Sequence, residues 1–229
     1  MTDRNEVSAC IEAQLNRAAS LRADLAAEPG APDRREALRV WQAARLARTH
    51  ADFLESPRYA STALFFLSDI YGPKDLSHYE EAVRRIFPVM TAVLPVAGLE
   101  TVADAFELNA LSESLDGAMV SVLGDKVFNL TEADYASAYR TVDRRTDRER
   151  QIELIDHLGH SLDRLTRRPF VGTTLSIMRR PAAAAGLSDL QSFLERGYRA
   201  FSKTKGADEF LEKIRSRETA LLETWFAGD

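Results

Sequence analysis

Apolar residues recur at intervals of three and four along almost the whole chain, and this spacing constrains the fold more than any other feature. The first segment shows it most simply, in a row that steps by 4, 4, 3, 3 and 4: Val7, Ile11, Leu15, Ala18, Leu21 and Leu25. Such a row marks one face of an amphipathic α-helix, whereas a half-buried strand alternates with a period of two. The nearest approach to alternation, residues 125–129, is too short for a strand, so the sequence predicts an all-α fold.

Capping residues, glycines and prolines divide this pattern into separate helices. A second helix is expected from Asp33 to about residue 55. A third should begin at Ser56-Pro57, which has the order of an N-cap and a first helical position. Capping-box spacing predicts three further helix starts, at Ser77, Thr146 and Ser188. Pro88 should kink or break the helix around it, and Gly124 should end a long helix.

The predicted helices are joined by short links, and no repeat of 20–50 residues recurs along the chain. Short links place consecutive helices side by side in antiparallel order. At 229 residues the chain is long enough to bury one sizeable core. We therefore predict an all-α, compact single-domain bundle of about nine or ten helices over residues 1–229, with a weak seam at 124–131.

The composition is that of an ordinary globular protein, with 45% apolar and 28% charged residues. Its apolar runs stay far below the roughly 20 residues that cross a bilayer. The polar N-terminus lacks the apolar region of a signal peptide, and the single cysteine, Cys10, excludes an internal disulfide. We therefore expect a cytoplasmic protein without membrane insertion.

Charge is distributed unevenly along the chain. The net charge is −5, but residues 164–205 carry nine basic and only two acidic side chains. Two Arg-Arg-Pro sequences lie twelve residues apart in this segment, and they contain Arg167, Arg168, Arg179 and Arg180. Arg164 precedes the first of them. Arginines followed by proline can end a helix, or the arginines can clamp a phosphate or carboxylate. Nucleic acid is disfavoured as a partner because no helix carries a continuous basic stripe interleaved with aromatic residues.

A few polar residues fall on apolar helix faces and are candidates for a ligand or metal site. His50 lies among apolar residues of the second helix, and is either a hydrogen-bonded core histidine or a haem or metal ligand. Glu107 lies on a stripe of small and apolar residues. It is either a structural acid that pairs with an arginine, or a functional group that serves as a metal ligand or a general acid. Other polar side chains are expected to be solvated: Glu113, Asp116, His157 and His160.

The segment Phe65-Phe66-Leu67-Ser68-Asp69 is followed by Tyr71-Gly72-Pro73. These residues resemble a group of uncharacterised bacterial proteins named for a Phe-Phe-Leu-Glu-Glu (FFLEE) motif that precedes a Tyr-Gly-Pro turn. The resemblance continues through residues 107–113 and 191–195, and it implies one all-helical domain without a transferable activity. Ser68 and Asp69 stand where that group has its two glutamates. Asp69 and Tyr71 join the ligand or metal candidates, and Gly72 is expected to end the preceding helix with a positive φ.

Motifs that would identify a reaction are missing from the sequence. It contains no Glu-x-x-His pair, no zinc-ligand spacing, no glycine-rich phosphate loop and no nucleophile elbow. We therefore expect a non-catalytic helical protein that binds a protein partner or a small anionic ligand. The alternative is a metal- or haem-dependent oxidoreductase or ligand-binding protein whose site lies inside the bundle. The sequence leaves open the cofactor, the oligomeric state and whether the chain is an enzyme.

Overall fold

The computed structural model describes residues 3–70 and 77–228, and within these residues it contains helices and turns but no strand. Eleven α-helices lie in this part of the chain: α1 (Arg4–Ala27), α2 (Ala31–Thr49), α3 (Ala51–Glu55), α4 (Ala60–Phe65), α5 (Ser77–Val93), α6 (Val96–Leu123), α7 (Glu132–Val142), α8 (Arg145–Thr166), α9 (Val171–Ala184), α10 (Ser188–Thr204) and α11 (Asp208–Ala227). A π-helix follows α4 at Phe66–Ile70, and a 3-10 helix follows α6 at Gly124–Asn129. The all-α class is confirmed, and the helices are slightly more numerous than the nine or ten predicted.

Helix α6 is the centre of the bundle and contacts α1, α2, α7 and α8. Because neighbours cover it on several sides, buried residues occur around most of its circumference, as is typical of a helix that is largely apolar. Its fully buried side chains include Leu99, Leu115 and Met119. Helix α1 packs along α6 through the apolar stripe that the sequence predicts, with Ile11 and Leu15 buried.

A second core lies where α3, α4, α10 and α11 meet, and its large side chains are mainly phenylalanines: Phe53, Phe65, Phe66, Phe201 and Phe210. Phe66 begins the π-helix, so the first residues of the FFLEE-like segment are core residues. The rings of Phe53 and Phe210 lie 4.6 Å apart between centroids. This core positions the break between α2 and α3, where His50 lies.

The second and third helices differ from their predicted bounds. α2 ends at Thr49 and α3 begins at Ala51, because His50 between them has φ −119° and ψ 29°, outside the helical region. The next helix begins at Ala60 rather than at Ser56-Pro57. The carbonyl of Ser56 accepts turn hydrogen bonds from the N–H groups of Tyr59 and Ala60 instead, at 3.1 and 2.8 Å.

Two prolines lie inside helices that continue past them. α5 runs through Pro88, and α9 continues through Pro181 to Ala184, so the second Arg-Arg-Pro sequence does not end its helix. A proline inside a helix frees the carbonyl four residues earlier. In α9 that residue is Ile177, which is 68% exposed, so water can satisfy its carbonyl.

Side-chain caps are fewer than the sequence indicates. Thr131 accepts a hydrogen bond from the backbone N–H of Asp134 at 3.1 Å and so caps α7. Helices α8 and α10 begin without a side-chain cap, so the predicted caps at Thr146 and Ser188 are wrong. Asp147, inside the first of these boxes, pairs with the Arg144 side chain instead. The predicted turn at Gly72 lies outside the described residues.

No helix in the described part of the chain has the length and apolar character that crossing a membrane requires.

Candidate functional site

A cavity of about 100 Å³ lies between α2, α4, α7, α8 and α11, next to the break at His50. Most of its lining consists of aliphatic and aromatic side chains from these helices, and its polar lining comes mainly from a few long side chains. These include two arginines, Arg45 of α2 and Arg148 of α8, and one carboxylate, Glu218 of α11. We call this site the Arg148 cavity.

Arg148 is the most unusual of these residues. It is only 6% exposed, and among the described residues no carboxylate lies within ion-pair distance of it. Its Nη1 donates a hydrogen bond to Oε1 of Gln151 at 3.3 Å, and its guanidinium lies over the Tyr139 ring, 4.6 Å from the centroid. Its Nη2 is buried and has no hydrogen-bond partner in the described part of the chain. A buried cation without a counter-ion is costly, and such groups are normally paired.

The other charges at the cavity form a compact set that is balanced internally. Nη1 of Arg45 donates to both carboxylate oxygens of Glu218, at 2.6 and 2.7 Å. Nε2 of His50 lies 3.0 Å from Oε1 of the same carboxylate. The guanidinium of Arg45 also lies over the Trp225 ring, 5.4 Å from the centroid. Glu218 is therefore engaged by Arg45 and His50, and it leaves the charge of Arg148 uncompensated.

The electrostatics of two neighbours agree with this arrangement. Burial acts to raise the pKa of Glu218, but the His50 hydrogen bond and the charge of Arg45 outweigh it, so the pKa lies below its ordinary value. Burial raises the pKa of Tyr139 far above its ordinary value, although the charge of Arg148 opposes that shift. Tyr139 is therefore a neutral phenol at physiological pH and supplies no counter-charge to Arg148.

The size and lining of the cavity limit what it can hold. A dry apolar cavity of about 150 Å³ accommodates a benzene molecule, while drug-sized ligands occupy pockets of roughly 300–1,000 Å³. The Arg148 cavity is therefore large enough for a ligand of a few heavy atoms and too small for a haem. Its cationic and apolar lining fits an anion that carries a short apolar body.

His50 and Glu107, which the sequence analysis singles out together, have different partners. Both ring nitrogens of His50 are engaged, since Nδ1 lies 3.4 Å from Nη1 of Arg217 and Nε2 contacts Glu218. Glu107 forms a bidentate pair with Arg150, at 2.7 and 2.9 Å, and does not line the cavity. No group of three or more His, Cys, Asp or Glu side chains within residues 3–70 and 77–228 is arranged to hold a metal ion.

The candidates from the FFLEE-like segment are only partly described. Oδ1 of Asp69 accepts a hydrogen bond from Nε of Arg196 at 2.9 Å, and its other oxygen accepts one from the Ser68 hydroxyl at 2.9 Å. Asp69 thus joins the π-helix to α10, and it does not line the Arg148 cavity. Tyr71 lies outside the described residues.

The five arginines of the basic segment differ in their partners. Arg179 forms a bidentate pair with Glu195, both contacts at 2.7 Å, and this hydrogen bonding lowers the pKa of Glu195 to about 2. Arg167 is paired with Asp163. The remaining three are exposed and have no carboxylate partner in the described part of the chain: Arg164, Arg168 and Arg180. Arg167 follows the end of α8, whereas Arg179 and Arg180 lie inside α9, so only the first Arg-Arg-Pro sequence ends a helix.

The prediction that Glu113 and Asp116 are solvated is wrong, since they are 4% and 5% exposed. Glu113 accepts hydrogen bonds from Arg22, Arg35 and Arg39, and Asp116 accepts from Arg39 and Gln42. Arg22 also pairs with Glu80. The helical wheel assigns α6 one buried face, but α1 and α2 cover the face that carries these acids. The expectation for the histidines holds for His157, which is exposed, while His160 is half-buried beside Asp156 and Asp208.

Arg148 is not among the site residues predicted from the sequence, although the sequence carries a signal for it. Arg148 lies on the apolar stripe of α8, in register with residues 4, 7, 11 and 14 positions further on: Ile152, Ile155, Gly159 and Leu162. A basic residue in register with such a stripe is expected to be buried. Arg45 follows the same rule, since it lies seven residues after the buried Leu38 of α2.

Comparison with known proteins adds a family but no activity. One family model matches residues 21–229, and its description is "Domain of unknown function (DUF8198)". No curated protein and no solved structure matches the chain. The match does not test the resemblance to the FFLEE proteins, which stays a prediction.

Proposed function

The chain belongs to the DUF8198 family, whose function is unknown, and we propose that it binds a small carboxylate with a short apolar body in the Arg148 cavity. The observation that carries this proposal is the buried guanidinium of Arg148, whose Nη2 has no hydrogen-bond partner among the described residues. A carboxylate bound there would accept that hydrogen bond and balance the charge.

The surroundings of Arg148 support a carboxylate over other anions. The cavity is small and mostly apolar, so it favours an anion whose remaining atoms are hydrocarbon. A guanidinium offers parallel N–H donors that match the two oxygens of a carboxylate. A phosphate would bring a second negative charge and more oxygens than the donors of Arg148 can satisfy, and Arg45 is already occupied by Glu218.

The same groups favour binding over catalysis. Arginine side chains stay protonated at all physiological pH values, so Arg148 and Arg45 hold an anion without exchanging protons. His50, the usual candidate for proton transfer, has both ring nitrogens engaged by Glu218 and Arg217. The proposal is therefore a non-catalytic binding or sensing role.

Isothermal titration of the purified protein with sodium butyrate tests this proposal, with the uncharged butyramide as the matched ligand. We expect butyrate to bind at least about tenfold more tightly than butyramide, since only the carboxylate pairs with the guanidinium. Arg148→Met should abolish the preference, while Arg17→Met, at an exposed position of α1, should retain it.

Equal binding of butyrate by the wild type and Arg148→Met would overturn the proposal. So would a Soret absorption band or stoichiometric iron in the purified protein, because either result would favour the haem or metal alternative.

A further inference from the structure

Helix α9 presents an apolar stripe that no other part of the described chain covers. Phe170 at its N-cap is 78% exposed and Ile177 is 68% exposed, and Met178 beside them is 44% exposed. Thr174, Ile177 and Pro181 are spaced by 3 and 4 residues, which places their side chains on one helix face, and Phe170 precedes them at the N-cap. Large apolar side chains in one exposed row mark a contact surface.

The opposite face of α9 is firmly attached to α10, so the stripe does not result from a loosely placed helix. The side-chain N–H of Gln191 donates to the carbonyl of Leu175 at 2.6 Å, and Arg179 is paired with Glu195. Gly172 faces Tyr198 so closely that a Cβ atom at this position would lie 2.7 Å from the tyrosine oxygen. These contacts fix the rotation of α9 and direct its apolar stripe away from the bundle.

The stretch of chain that contains the stripe carries only positive charge. Residues 164–188 contain five arginines and no aspartate or glutamate. Arg168 precedes Phe170 by two residues, and Arg180 lies on the flank of the Phe170–Ile177 row; both are exposed and have no carboxylate partner among the described residues. The chain as a whole has a net charge of −5, so this region is the exception on an acidic molecule.

We propose that the stripe of α9 and its flanking arginines dock the protein reversibly on an anionic membrane surface. An interfacial helix combines exposed Phe and Leu-type side chains on one face with Lys or Arg beside them, and it lies on the bilayer without crossing it. Phe170 and Ile177 would enter the headgroup region, while Arg168 and Arg180 contact lipid phosphates. An acidic protein would satisfy the arginines equally well, but it would also need a groove or partner face for the convex apolar row.

This docking surface is separate from the Arg148 cavity, and the two proposals stand or fall independently. None of the residues of the stripe lines the cavity. The Arg148→Met variant should therefore bind membranes as the wild type does.

Flotation of the full chain with lipid vesicles tests the docking proposal. We expect binding to phosphatidylcholine vesicles that contain phosphatidylglycerol, little binding to phosphatidylcholine alone, and release by salt. Removing the charge in Arg168→Gln or Arg180→Gln should weaken binding about fivefold for each arginine. The double variant Phe170→Ser/Ile177→Ser should lose binding.

Two matched controls separate the stripe from general surface effects. Val89→Ser removes a 64%-exposed apolar side chain from α5, and Arg17→Gln removes an exposed cation from α1; both should bind vesicles like the wild type. Absence of vesicle binding, or equal loss in the controls, would overturn the proposal. A dimer in light scattering that Ile177→Ser dissociates, without vesicle binding, would assign the stripe to a second copy of the chain and would also overturn it.

Discussion

Two groups of buried or half-buried arginines in this bundle differ in how their charge is balanced. In the Glu113 network, Arg22, Arg35 and Arg39 contact Glu80, Glu113 and Asp116 between α1, α2, α5 and α6, which gives three cations and three acids among the described residues. The Arg148 cavity is lined by two arginines and one carboxylate; Glu218 pairs with Arg45, and Arg148 has no acidic partner among the described residues.

Under the proposed function, the arginines of the Glu113 network stabilise the fold, and Arg148 binds a ligand. A buried charge that is paired and hydrogen-bonded joins helices, and removing one partner leaves the others uncompensated. A buried charge without a partner makes the folded state less stable, and a destabilised group of this kind is one cost that a binding site can carry. Substitutions in the two groups should therefore change the free energy of unfolding by different amounts.

The largest loss is expected from Glu113→Gln. Glu113 is 4% exposed and accepts hydrogen bonds from three arginines, so the neutral amide leaves buried positive charge unbalanced. We expect the free energy of unfolding in urea to fall by about 3–5 kcal/mol. Glu12→Gln, at an exposed position of α1, is the matched control and should change it by less than about 0.5 kcal/mol. A loss below about 1 kcal/mol for Glu113→Gln would show that the network does not stabilise the fold.

A smaller loss, with a defined pH dependence, is expected from Glu218→Gln. The pKa of Glu218 is lowered in the folded protein, so its stabilising contribution is fully present above the unfolded-state pKa of about 4.3 and disappears as the pH falls. At pH 7 the variant should lose about 2 kcal/mol.

Unfolding measurements from pH 7 down to pH 3 should therefore show the two proteins converging in the acid range. A difference between wild type and Glu218→Gln that stays constant over this range would contradict the lowered pKa.

Phe170 adopts backbone angles that are unfavourable for a bulky residue. Its φ of 70° lies in the left-handed region, which costs a bulky residue roughly 1–2 kcal/mol, and its side chain is 78% exposed. Phe170→Gly should therefore raise the free energy of unfolding by about 0.5–1 kcal/mol, after the greater freedom of glycine in the unfolded chain is subtracted.

Lys205→Gly, at another left-handed position with φ 53°, should stabilise the fold similarly and leave vesicle binding unchanged. Destabilisation by Phe170→Gly would show that the ring supports the fold, and it would weaken the assignment of Phe170 to a docking surface.

The sequence predicted the helices better than it predicted the surroundings of single polar residues. The spacing of residues such as Ile11 and Leu15 defines α1 without knowledge of its neighbours, because one face of that helix is buried. The same reasoning failed for Glu113 and Asp116, since α6 is covered on several sides and has no single solvent face. Helix breaks such as His50 depend on tertiary packing rather than on local propensity.

The Arg148 cavity could not be predicted from local sequence patterns either. Its residues come from helices that are far apart in sequence, and Glu218 lies 168 residues after His50. The sequence identified His50 because it sits among apolar residues, and the apolar register of α8 contains Arg148. Glu218 is occupied by Arg45 and His50, and this leaves Arg148 without a carboxylate partner among the described residues. These pairings depend on three-dimensional distances, which the spacing of residues along the sequence does not give.

The stability of Arg148→Met in ligand-free buffer distinguishes an arginine that holds the fold from one that is kept for an anion. Methionine keeps a long apolar side chain against Tyr139 while it removes the uncompensated charge, so the free energy of unfolding in urea should stay within about 1 kcal/mol of wild type or rise. A loss of more than about 2 kcal/mol, approaching that of Glu113→Gln, would show that the guanidinium of Arg148 holds the fold and is not kept for an anion.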